Sequence, residues 1–179
     1  KAFRNTFCKL HMITAQKPKT VNPSTVVILG ARYSTMQERI ACARTFVESL
    51  KQKPQVILLT GDRNLEKIRN DNAPPLDGDA PKTCMTEEDA GKYLASAHED
   101  FPMDVINGPK QPGAKRATTD DNARTLKNWL NKHKINTGDI ILVSTQPSSQ
   151  YQLAVFVRYF SGTNYHFSVI APPLKEPFN

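Results

Sequence analysis

No apolar run in the sequence approaches the ~18 residues that a membrane-spanning helix needs. Glycine is sparse, 8 in 179 residues, and there are no sustained heptads, so collagen and coiled coil are excluded. The 3 cysteines, Cys8, Cys42 and Cys84, are too few for a disulfide-dense scaffold and form no CxxC pair. They read as reduced structural thiols, with a Cys8–Cys84 bridge as the alternative. His11, His98, His133 and His166 are equally scattered. GARYST at 30–35 is not GxGxxG, and neither GxxxxGK[ST] nor GxSxG occurs, so a dinucleotide fingerprint, a P-loop and a nucleophile elbow are all missing.

What is present suits one globular domain. Hydrophobic residues make up 39% and charged residues 23%, enough for a single core and too apolar for a disordered chain. The 24 Lys+Arg against 17 Asp+Glu leave a net charge of +7. That charge is spread along the chain with no basic face interleaved with aromatics, so nucleic acid is an unfavoured partner and a small anionic ligand a better one. Thirteen prolines call for long ordered loops. The chain opens on Lys1 rather than Met, so a signal or anchor could have been removed; the compartment stays open between cytoplasm and a periplasmic or envelope location.

Residues 1–24 lack clean periodicity and read as an arm lying on the domain. TVVILGA at 25–31, QVILLT at 55–60, MDVIN at 103–107, DIILVS at 139–144 and HFSVIA at 166–171 read as strands, several of them unalternating, as in a sheet covered on both faces. Helical spacing fills the intervals 36–52, 86–101, 118–133 and 148–161, with Thr86 and Thr118 as caps. The segment 62–85 reads as a long loop or lid containing a short helix at 63–70, and 173–179 as a tail. The alternation predicts an α/β, three-layer, doubly wound domain over 25–172 with a mostly parallel five-stranded, Rossmann-like sheet.

In such a sheet the ligand sits outside the carboxyl ends of the strands. Gly30 and Arg32 follow the first strand there, Gly61 and Asp62 the second, Thr119, Asp121 and Asn122 the third, Ser144 and Thr145 the fourth. Several stand at helix N-termini, which favour anions. Asp62 and Asp121 are the acidic groups nearest that rim and the candidates for acid–base work or for holding a metal; Thr118 and Thr119 also have the spacing of plain caps.

Four segments, VVILGAR at 26–32, LLTGD at 58–62, TTDDNARTLKNWL at 118–130 and IILVSTQPSSQ at 140–150, resemble the YdcF/SanA-like family of domains of unknown function (DUF218). The resemblance matches Gly30 and Gly61 to the family glycines and Arg39 to its arginine at the start of the first helix. It matches Glu87 or Glu88, with Glu88 taken as the ligand-binding residue, to the acidic residue before the second. Thr119, Asp121 and Asn122 match the NTxEN motif, and Ser144 and Thr145 the Thr-Ser pair after strand four. Asp62 replaces a family glycine, Asp121 shortens a Glu, and the family His and Arg after strand four are absent, Ser148 or Ser149 and Tyr151 or Gln152 standing there. An anion-clamping arginine must then come from elsewhere, such as Arg32 or Arg116. The resemblance implies a strand-end pocket for a nucleotide-like ligand such as S-adenosylmethionine, and, for some members, a link to the bacterial envelope. Two functions are expected: a small-molecule site, enzymatic or not, or a non-catalytic interaction protein that kept the fold and lost the His and Arg.

Overall fold

Strand β1 (Thr25–Leu29) is buried at every position, because its side chains alternate between two cores. Val26 and Ile28 enter one, Val27 and Leu29 the other. The computed structural model describes residues 8–9, 14–18, 22–65, 80–81 and 83–173. Around β1 lie β2 (Gln55–Gly61), β3 (Asp104–Gly108), β4 (Thr137–Val143) and β5 (Asn164–Ile170), all parallel, in the order β3-β2-β1-β4-β5. The chain runs outward from β1 to β3, returns to β4 on the other side of β1, and ends at the edge. The strand order therefore reverses between β1 and β4, the place where open α/β sheets leave a crevice.

Helices α1 (Tyr33–Glu48) and α2 (Glu87–Ala97) cover one face through Met36, Ile40, Ala43, Val47, Ala90 and Leu94. The other face is covered by α3 (Thr119–Lys132) and α4 (Ser149–Tyr159), through Ala123, Leu126, Leu130 and Phe156. The result is a three-layer, Rossmann-like α/β fold with every strand parallel. Gly91 lets α2 lie close on β2, since a Cβ there would stand 2.7 Å from Thr60 Cγ2. No helix among the described residues is long and apolar enough to cross a membrane.

Several boundaries differ from the sequence-based expectation. Strands β4 and β5 begin two residues early, because Thr137↔Asn164 and Gly138↔Tyr165 extend the ladder beyond the apolar runs. Helix α1 starts at Tyr33 and stops at Glu48, where the Ser49 N–H and hydroxyl both donate to the Phe46 carbonyl. Tyr93, expected inward, is exposed. The expected 63–70 helix falls mostly outside the described residues. Asn64 instead pairs antiparallel with Thr86, and Leu65 N–H donates to Met85 O at 2.8 Å. Of the expected arm, Gln16 pairs antiparallel with Ala171; of the expected tail, only Pro173 is described. Cys8, Cys42 and Cys84 are thiols, not bridged to one another.

Candidate functional site

The four helices all open at the carboxyl edge of the sheet, but their N-termini differ. Helices α2 and α3 are closed by capping boxes, Thr86 with Asp89 and Thr118 with Asp121. Helices α1 and α4 have no side-chain cap bond at Arg32 or Ser148 and no acidic residue in the first turn. The N-terminal dipoles of these two helices are thus not offset by a side-chain cap or a first-turn carboxylate. Between these ends lies a cavity of about 500 Å³, largely polar, bordered by Gly30, Arg32, Thr35, Arg39, Gly61, Arg63, Glu87, Arg116, Thr119, Asn122, Tyr151 and Gln152, among others.

Gly30 is required by this packing. Its N–H donates to Leu59 O at 2.7 Å, and a Cβ would fall 2.2 Å from Glu87 Oε1 and 2.8 Å from Thr60 Cα. Glu87 fills that space. It is 5% exposed, and its Oε1 accepts a bond from Gly61 N–H at 2.7 Å. Its Oε2 lies 3.8 Å from Arg63 Nε. Burial raises its carboxyl to about 7, against the opposing pull of the Gly61 bond and of Arg63, Arg39 and Arg116.

Arg39 is 4% exposed and binds only neutral oxygens: Leu29 O at 2.6 Å, Gly30 O at 2.8 Å and Thr145 Oγ1 at 2.9 Å. Among the described residues its Nε has no hydrogen-bond partner, and burial lowers its pKa to about 10. The buried Asn122 Oδ1 likewise has no donor among them. Among the described residues, four guanidinium groups and one carboxyl group therefore line this cavity, and the uncapped N-termini of α1 and α4 add to the positive field. Chemically the arrangement can hold an anion and can offer or accept one proton at Glu87.

Of the residues expected at the site, Gly30, Arg32, Arg39, Gly61, Thr119 and Asn122 border the cavity, and Arg116, the suggested replacement arginine, joins them. The others lie elsewhere. Glu88 points outward to Lys92 at 2.7 Å, because Glu87 is the residue on the buried stripe with Ala90 and Leu94. Asp121 is consumed by its cap: its oxygens accept from Thr118 N–H, Thr118 Oγ1, Gln111 and Arg124 at 2.7–3.0 Å, leaving no base for chemistry. Asp62 is outside the lining and stands 3.5 Å from Lys110. Ser144 is fully buried and donates to Gln152 Oε1 at 2.5 Å, so it positions a cavity residue without bordering the cavity itself.

Thr145 borders a different cavity of about 830 Å³, mainly apolar, with Cys42, Phe46, Ile170 and Pro172 in its wall. Among the described residues its charged lining is limited to Lys17 and Glu38, whereas the smaller cavity is the more polar and the richer in charge. Among the described residues no group of three or more His, Cys, Asp or Glu is placed to hold a metal.

From the sequence, Arg63 is one of the residues that follow the second strand but is not singled out as ligand-binding, and Glu88 is taken where Glu87 borders the cavity. The signal for Glu87 is its helical phase with Ala90 and Leu94. Comparison with protein-family models, with curated proteins and with solved structures gives no match to this chain.

Proposed function

We propose that the protein binds an anionic, nucleotide-like small molecule in the polar cavity at the strand ends. The observation that carries this reading is the buried guanidinium of Arg39, unpaired with any carboxylate of the described residues at contact distance and joined by Arg32, Arg63 and Arg116 around one cavity. A buried cation without a counter-ion is costly, and a bound anion removes that cost. The resemblance to the DUF218 family supports the same location. Four cationic groups favour a nucleotide carrying phosphates over S-adenosylmethionine, whose net charge is positive.

The test is a thermal-shift and titration screen of AMP, ATP, sugar phosphates and S-adenosylmethionine. A ligand at 100 times its Kd adds about 2.7 kcal/mol of stability. Arg63→Ala and Arg116→Ala are each expected to weaken a phosphate-bearing hit about tenfold, as the loss of one charge-assisted bond. Hits unchanged by both, and by Thr119→Val with Asn122→Ala, would remove the cavity from consideration. A second reading, a non-catalytic interaction protein, draws on Ser148 or Ser149 and Tyr151 or Gln152 standing where the family has His and Arg; a screen with no hits favours it.

A further inference from the structure

Glu87 is an unusual occupant for an anion site. Its carboxyl group lies at the back of the arginine-lined cavity, wedged against the backbone of Gly30. One oxygen is taken by Gly61 N–H, while the other makes no hydrogen bond to a described residue, with Arg63 Nε at 3.8 Å. A carboxylate and a bound dianion repel each other at such range, and the repulsion is relieved when the carboxylate takes a proton.

We propose that the group recognised here is a phosphoryl dianion, and that Glu87 meets it as the neutral acid, donating from Oε2 to a phosphoryl oxygen while the arginines hold the remaining oxygens. This rests on the reading of the cavity as an anion site and names both the end of the ligand that is recognised and the residue that senses its charge. No covalent bond is made or broken; one proton moves from water to Glu87 when the ligand enters above neutral pH. The charged groups facing Glu87 are Arg39 from α1, Arg63 from the end of β2 and Arg116 from the segment before α3. Helix α4 contributes the uncharged Ser148, Tyr151 and Gln152. On its own helix, Glu88 is paired with Lys92, and Asp89 accepts from Thr86 N–H.

Because the free carboxyl titrates near 7, wild-type protein binding at pH 8 is expected to take up close to one proton, and at pH 5.5 almost none. Sulfate is the probe, since it mimics a phosphoryl dianion and does not itself titrate in this range. Calorimetry in two buffers of different ionisation enthalpy counts the protons on the unmodified protein. Sulfate affinity should fall by up to about tenfold per pH unit above 7 in the wild type. It should stay flat in Glu87→Gln, which keeps the Gly61 bond, so that the variant binds more tightly than wild type at pH 8. Sulfate binding with no proton uptake at pH 8, or with the same pH slope in both proteins, overturns the role of Glu87 and leaves the anion site standing. Failure of sulfate, pyrophosphate and nucleotides to bind at any pH overturns both.

Discussion

Arg39 Nη2 donates to Thr145 Oγ1 at 2.9 Å, while Nη1 donates to Leu29 O and Gly30 O. One side chain thereby ties the end of β1 to the segment after β4, across the crevice where strand order reverses. Thr145→Val leaves that buried guanidinium one acceptor short. The expected loss is about 1–3 kcal/mol, seen as a lower urea midpoint with an unchanged slope. An unaltered midpoint would show that the tie is dispensable.

Glu87 should make stability fall with pH over an unusual window. Its folded-state pKa of about 7 is above its ordinary value of 4.5, with burial as the leading cause. Such an acid is harmless while protonated in both states; the folded state loses stability as pH rises from about 4.5 through about 7, then no further. Glu87→Gln removes that dependence. Its melting temperature relative to wild type is expected to be level at pH 4, to rise between pH 5 and 7, and to plateau by pH 8. A constant difference across the range would contradict the buried-acid assignment.

The sign is opposite at Asp121. Burial pulls its carboxyl up, but bonds from Gln111, the Thr118 N–H and hydroxyl, and Arg124 outweigh burial and hold it down to about 2. Its contribution is complete above the ordinary value of 3.8 and is lost as pH falls toward 2. Asp121→Ala should cost about 1–3 kcal/mol at pH 7 and progressively less below pH 4. Since this carboxylate serves the cap of α3, anion affinity of the folded variant should match wild type. A large drop in affinity would return Asp121 to the binding machinery.

Gly30→Ala introduces a methyl group where Glu87 Oε1, Thr60 Cα and Leu59 O already stand. Two of those atoms belong to backbone in the sheet and cannot swing away. Destabilisation of about 2–3 kcal/mol is expected, together with weaker anion binding as Glu87 is displaced. Pairing Gly30→Ala with Glu87→Ala relieves the worst contact and should recover part of the loss; a strictly additive double variant would mean the two residues do not compete for space.

The layer architecture was readable because burial on both faces forces unbroken apolar strands such as 26–29 and 56–59. The caps at Thr86 and Thr118 were readable too, since a hydroxyl and a carboxylate three residues apart satisfy two backbone donors at once. The site was only half legible. Glycines and helix-start residues follow from topology, whereas the roles of Asp121 and Glu87 depend on which way each helix is rotated. Glu87 at the first helical position faces the sheet; Glu88, one residue on, turns through about 100° and meets Lys92 in water. Nor did any pattern mark Ser144 as a support for Gln152, because that bond joins a strand end to a helix eight residues later.

The short antiparallel bridge between Asn64 and Thr86 is reinforced by Glu87 N–H donating to Arg63 O at 2.9 Å, and so joins the chain just after β2 to the start of α2. These backbone bonds act as a clasp that holds Arg63 and Glu87, a cation and the acid of the same cavity, in fixed register whatever side chains stand at the two positions.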